Sequence, residues 1–134
     1  MGRPLRRLAD ESGSTTVELA LVLPVLLIVL LATVQIALVS HARTVVATAA
    51  AEGARVAASE GASPSAGTAR ARLVLRSGLG RGGASYGVSV GQWSGTVVAQ
   101  VSGGYPLFIP WLGRHSVWLH AQAEVRKEGL RGGP

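Results

Sequence analysis

Glu18 is the side chain whose type and position point to chemistry. It lies five places after Gly13 in Gly13-Ser14-Thr15-Thr16-Val17-Glu18, and residues 19–40 that follow carry no charge. A carboxylate at the edge of so apolar a run is costly to hold near hydrocarbon unless its charge is offset, so a functional pairing is the default reading. The chain can supply the partner itself. Hydrolysis of the Gly13–Ser14 bond would leave an ammonium on Ser14, one helical turn from Glu18. The two charges could then neutralise each other within one chain or between neighbours.

The segment that must position Glu18 reads as a membrane helix. Residues 19–40 would span about 33 Å, enough for the hydrocarbon core. Their polar members are Thr33, Gln35 and Ser40. Pro24 lies inside and removes one backbone hydrogen bond, which membrane helices tolerate, often with a kink. Arg3, Arg6 and Arg7 precede the span, against Asp10 and Glu11. The positive-inside rule counts the arginines and puts the N-terminus in the cytoplasm, with the remainder outside.

Four readings of this N-terminal region compete. A cleaved secretory signal is one: Ala47-Thr48-Ala49 has the small-x-small pattern, although the apolar run exceeds the usual length. Twin-arginine export through Arg6-Arg7 is a second, poorly matched by the Leu8-Ala9-Asp10 that follows. A plain signal anchor is a third, in which Thr15-x-x-Glu18 is a capping box that starts the helix. The fourth is a prepilin-type leader ending at Gly13, which gives the Gly13–Glu18 spacing a purpose.

The run from Gly13 to Pro24, Gly-Ser-Thr-Thr-Val-Glu-Leu-Ala-Leu-Val-Leu-Pro, resembles the TadE-like proteins, as does the later Ala49-Ala50-Ala51-Glu52-Gly53-Ala54-Arg55. The stretch 115–128 is also similar. Leu19 stands where that family often has an aromatic residue. The resemblance implies a minor pseudopilin or assembly factor of the tight-adherence (Flp-type) pilus. It implies cleavage between Gly13 and Ser14 by a prepilin-type peptidase, and partners among pilin-like subunits and pilus-assembly membrane proteins. Glu18 would serve amine pairing and Pro24 helix shape.

Past the span, residues 41–59 are alanine-dominated, and alanine is the best helix former. One helix over residues 18–59 would therefore run roughly 60 Å, half of it beyond the bilayer. Ala42, Val45, Val46, Ala49, Ala50, Gly53 and Ala57 recur at three- and four-residue spacing as a small-residue stripe, with Glu52 and Arg55 placed to pair on the other side. The stripe, with Ala49, Ala50 and Gly53 at its centre, either docks on another helix or packs on the chain's own sheet. A second helix, capped by Ser65 or Thr68, should run to about Ser77 and carry Arg70, Arg72 and Arg76 as a solvated basic face. Residues 78–83 read as a flexible break. Three strands follow by alternation: Tyr86, Val88, Val90; Val97, Ala99, Val101; and Val117, Leu119, Ala121, Ala123, Val125. Residues 105–112 read as an apolar loop. It is either a lid on the sheet or, through Tyr105, Phe108 and Trp111, a contact for a partner or a membrane.

The expected architecture is α+β: a long N-terminal transmembrane helix extended outside the membrane, a second short helix and a three-stranded antiparallel sheet. Its divisions are a leader (1–13), a transmembrane helix (14–40), a helix extension (41–60) and a small outer domain (61–134). The chain has 134 residues, a formal net charge of +6 and no cysteine, which rules out disulfides and thiol chemistry. Lys127 is the only lysine, so the basicity comes from scattered arginines and gives no nucleic-acid signature. His115 and His120 differ in strand parity and cannot share a metal. No nucleophile motif surrounds a serine. No enzymatic activity, metal or cofactor is expected. The alternative function is a signal-anchored extracytoplasmic binding module that is never processed at Gly13.

Overall fold

The computed structural model describes residues 5–127, with side chains from Gly13 onward. Arg3 of the leader and Glu128 lie outside the described residues. The chain is α+β, in the order α1 (Leu5–Ala58), α2 (Pro64–Leu79), a 3-10 helix (Gly80–Ser85), β1 (Gly87–Trp93), β2 (Thr96–Ile109) and β3 (Gly113–Arg126). It divides into two compact units, Met1–Ile36 and Ala37–Pro134.

The first unit is helical. α1 begins at Leu5, so Thr15 and Glu18 sit inside the helix and do not cap it. This corrects the capping-box reading. The stretch before Ser12, Leu-Arg-Arg-Leu-Ala-Asp-Glu, is rich in good helix formers and extends the helix backwards past the local signature. The helix continues through Pro24. Its apolar side chains stand open, with Leu21 and Ile36 both 71% exposed. Among the described residues, α1 is the one helix long and apolar enough to cross a membrane, and its most apolar stretch is not buried by the chain itself.

The second unit holds the core. Its sheet is antiparallel in the order β1-β2-β3. Val97, Ala99 and Val101 of β2 are fully buried, and Leu119 of β3 nearly so. Register places Val101 between Val88 and Ala121, so the alternating apolar residues of all three strands share one face. That face packs in two clusters. One joins Ala42, Val45, Val46, Ala49 and Ala50 of α1 to Ala71 and Leu75 of α2, then Val101 and Leu119. The other joins Ala54, Ala57 and Ala58 to Val97 and Ala99. The small-residue stripe of α1 is thus buried within the chain, against α2 as well as the sheet, and Ala54 and Ala58 widen it.

Gly53 and Gly67 let α1 and α2 touch backbone to backbone. A Cβ on Gly67 would overlap the Gly53 carbonyl oxygen and come within 2.7 Å of the Ala57 methyl carbon. Farther along, a Cβ on Gly78 would meet Val45 at 2.6 Å, so α2 runs antiparallel to α1. In β2, Gly103 leaves room for the Tyr86 ring, whose Cδ1 lies 2.6 Å from where a Cβ would stand.

Three expectations need correction. The N-cap of α2 is Ser63, whose hydroxyl accepts from the Ala66 amide; Pro64 follows in the first turn, and the helix runs to Leu79. Residues 78–83 are helical, and Gly83 is buried, not a flexible break. The apolar segment 105–112 is mostly strand: Tyr105 pairs with Val117 and Phe108 with Arg114. Only residues 110–112 turn, closed by Leu112 N donating to the Ile109 carbonyl at 3.1 Å. The segment is the end of a long hairpin and does not lie over the sheet.

Candidate functional site

Gly13, Ser14, Val17, Glu18 and Leu21 line one shallow concavity on α1. Their spacings of three and four put them on one helix face. Ser14 and Glu18 are four apart, one helical turn along that face. Glu18 is exposed. A side chain at position 13 would meet nothing within 4 Å, so its size is unconstrained by the chain itself. The backbone across Gly13–Ser14 is helical, and a protease would have to unwind it to reach the bond.

Pro24 lies within the helix as expected, where the carbonyl four residues earlier loses its N–H donor. Ala49 and Ala50 are fully buried and Gly53 faces Gly67, so these three residues act in packing inside the second unit. The Ala47-Thr48-Ala49 sequence lies in mid-helix with Ala49 in the core.

Glu52 receives two cations. Arg55 approaches at 3.6 Å, and Arg70 of α2 donates through Nη2 at 3.3 Å. Arg70 therefore ties α2 to α1, a link across 18 residues that its place in a basic face did not reveal. Both arginines are substantially exposed, so each contact stabilises by well under about 1 kcal/mol.

Between α1 and α2 lies a groove of about 410 Å³ lined by Thr44, Val45, Thr48, Arg70, Leu73, Val74, Ser77 and Gly78. Its hydroxyls bond back to their own helices: Thr44 to the Ser40 carbonyl, Thr48 to that of Thr44 and Ser77 to that of Leu73. None is held by a base that would make it a nucleophile. His41 Nε2 lies 3.3 Å from the Gly78 carbonyl and links α1 to the last turn of α2. Among the described residues no three His, Asp or Glu side chains gather as a metal site. His115 bonds to the Leu112 carbonyl at 3.0 Å, whereas His120 pairs in register with Ser102 on the opposite face.

Tyr86 is a feature that strand alternation did not flag as unusual. It is 3% exposed, and its hydroxyl makes no hydrogen bond. Burial, and secondarily the nearby Tyr105, pushes its pKa above the ordinary 10.0.

At the hairpin tip Phe108, Trp111 and Leu112 are 57%, 87% and 69% exposed, whereas Tyr105 joins the core. Trp111 has φ 70° and follows Pro110, the pattern of a type II turn, whose third position normally takes glycine. Holding tryptophan there costs on the order of 1–3 kcal/mol.

No curated protein and no solved structure matches this chain. Residues 13–55 match the model of one family, described as TadE-like protein.

Proposed function

We propose that the chain is a minor pseudopilin or assembly factor of a Tad/Flp-type pilus or related secretion system, with a structural and not an enzymatic task. Its leader is cytoplasmic, α1 crosses the membrane once, and the second unit lies outside. A prepilin-type peptidase cuts after Gly13. The new Ser14 amine then pairs with Glu18, on the same chain or on a neighbouring pilin-like subunit, and α1 enters a bundle of such helices within the bilayer. The observation that carries this reading is the TadE-like match, which starts at the proposed cleavage glycine and covers the whole apolar span. The open face with Ser14 and Glu18 one turn apart agrees with it.

A second reading has one observation in its favour. The unbroken helix across Gly13–Ser14 suits a signal anchor that stays uncut, presenting the second unit as an extracytoplasmic binding module. Intact mass and terminal sequencing of the protein extracted from its native membrane separate the two. A chain starting at Ser14 supports the pseudopilin; one that retains the leader supports the anchored module.

A further inference from the structure

The second unit has two dissimilar ends. Near Ala58, α1 packs with Val97 and Ala99; near Val39 and Ala42 it packs with Val101, Tyr105 and Val117. β2 therefore runs against α1, and the β2–β3 tip points toward the end of the unit where Ala37, Leu38 and Val39 of α1 are apolar. From Tyr105 to Ile109 the strand extends about 13 Å farther that way. Trp111, Phe108, Ile109 and Leu112 make this tip apolar and exposed.

Among the described residues the carboxylates divide the same way, whereas cations lie at both ends, with Arg126 opposite Thr96 and Arg55 beside Glu52 at the Ala58 end. Arg114 is opposite Phe108 at the tip, Arg43 follows the apolar end of α1, and Arg76 and Arg81 flank the C-terminal end of α2, beside Val45. All four are exposed. The described carboxylates of this unit, Glu52, Glu60 and Glu124, lie toward the other end, where Glu124 pairs in register with Val98. Exposed aromatic and aliphatic side chains beside Arg114, at an end of the unit that carries further exposed arginines and no carboxylate among the described residues, match the boundary of an anionic bilayer: rings settle at the headgroup level and guanidinium groups meet phosphates. The strained φ of Trp111 keeps a bulky ring at the apex, where glycine would fit with less strain.

We infer that the β2–β3 tip, around Phe108, Trp111 and Arg114, is a second membrane contact that docks the outer unit on anionic phospholipid headgroups. It rests on the reading of α1 as a membrane span.

The three tryptophans test it, because all lie in the second unit and none in the span. Trp111 is at the tip, Trp118 pairs with Gly104 farther back, and Trp93 is at the far hairpin beside Thr96. They are 87%, 71% and 81% exposed, so phenylalanine at the other two positions leaves the core intact. Full chains that retain one tryptophan each are reconstituted in vesicles of phosphatidylcholine and phosphatidylglycerol, with lipids brominated near the headgroup. Quenching should fall in the order Trp111, Trp118, Trp93, with Trp111 quenched several-fold more than Trp93, and should weaken in pure phosphatidylcholine. Equal quenching at the three sites overturns the docking. A blue shift of Trp111 that grows with protein concentration without bromine quenching also overturns it, in favour of protein–protein contact at the tip. If the chain does not float with the vesicles at all, the membrane reading of α1 has failed and the docking falls with it. That failure is distinct from flat quenching in chains that do float.

Discussion

Replacing Gly67 with alanine adds one methyl group where α1 and α2 cross. In an exposed helix that change would stabilise by about 1 kcal/mol, because alanine is the better helix former. Here the methyl would overlap the Gly53 carbonyl oxygen and press on Ala57 at 2.7 Å. A carbonyl fixed in a helix cannot rotate away, so the helices must separate, at the upper part of the roughly 1–3 kcal/mol range for overpacking. The net expectation is a loss of about 1–2 kcal/mol, which lowers the melting temperature of a unit this size by roughly 5–15 °C. Gly53→Ala should cost less, since its Cβ would meet the Gly67 oxygen and the Ala71 methyl at 3.0 and 3.1 Å. Gly13→Ala should leave the melt unchanged, with nothing within 4 Å. Near-UV circular dichroism of the full chain in detergent micelles reads this transition, because every aromatic residue lies in the second unit. A Gly67→Ala protein that melts at or above the parent temperature, as propensity alone dictates, would mean that the two helices do not cross this closely in solution.

Tyr86→Phe removes a buried hydroxyl without a partner and should raise stability by up to about 1 kcal/mol in the same melt. The fold holds Tyr86 neutral, so its contribution to stability is constant below pH 10.0 and becomes steadily less favourable as pH rises from there toward the elevated folded pKa. The phenylalanine variant should lose that part of the alkaline slope, and an unchanged slope would assign it to other groups. Gly13→Trp should leave the fold intact, since the position is open, while blocking processing; a variant cut to the same mass as the parent would discard the leader reading. Glu18→Val should keep or improve membrane retention yet impair assembly with other pilin-like subunits, and normal pilus formation in that variant would remove the amine-pairing role.

The strand phases were legible because one face is buried: alternation at Val97, Ala99 and Val101 is the direct imprint of a sheet packed on one side. The α1 stripe was legible for the same reason at helical spacing. Its destination was not, because nothing near Gly53 marks Gly67, 14 residues away, as its partner. The strand over residues 105–109 was hidden by Pro106 and Pro110. Proline is tolerated there because β1 pairs only as far as Ser102 and leaves β2 with one neighbour beyond it. At the candidate site the spacing of Gly13, Ser14 and Glu18 was plain, whereas the Thr15-x-x-Glu18 signature gave a false helix start. A local motif cannot report that Leu5 and the residues after it already form helix.

The alanines of α1 answer to two kinds of constraint. Ala49, Ala50, Ala54 and Ala57 are fully or almost fully buried, whereas Ala47 and Ala51 of the same stretch face outward. At the buried positions a larger residue has nowhere to go, and glycine would give up contact and helix propensity together. At the outward ones most residues would serve. The arginine-for-lysine bias of the chain suggests a GC-rich genome, in which alanine codons arise readily by drift. An alanine count over this helix therefore says little about selection. Across descendants of this chain the inward alanines should persist through changes of codon bias, while those at 47 and 51 follow the genome.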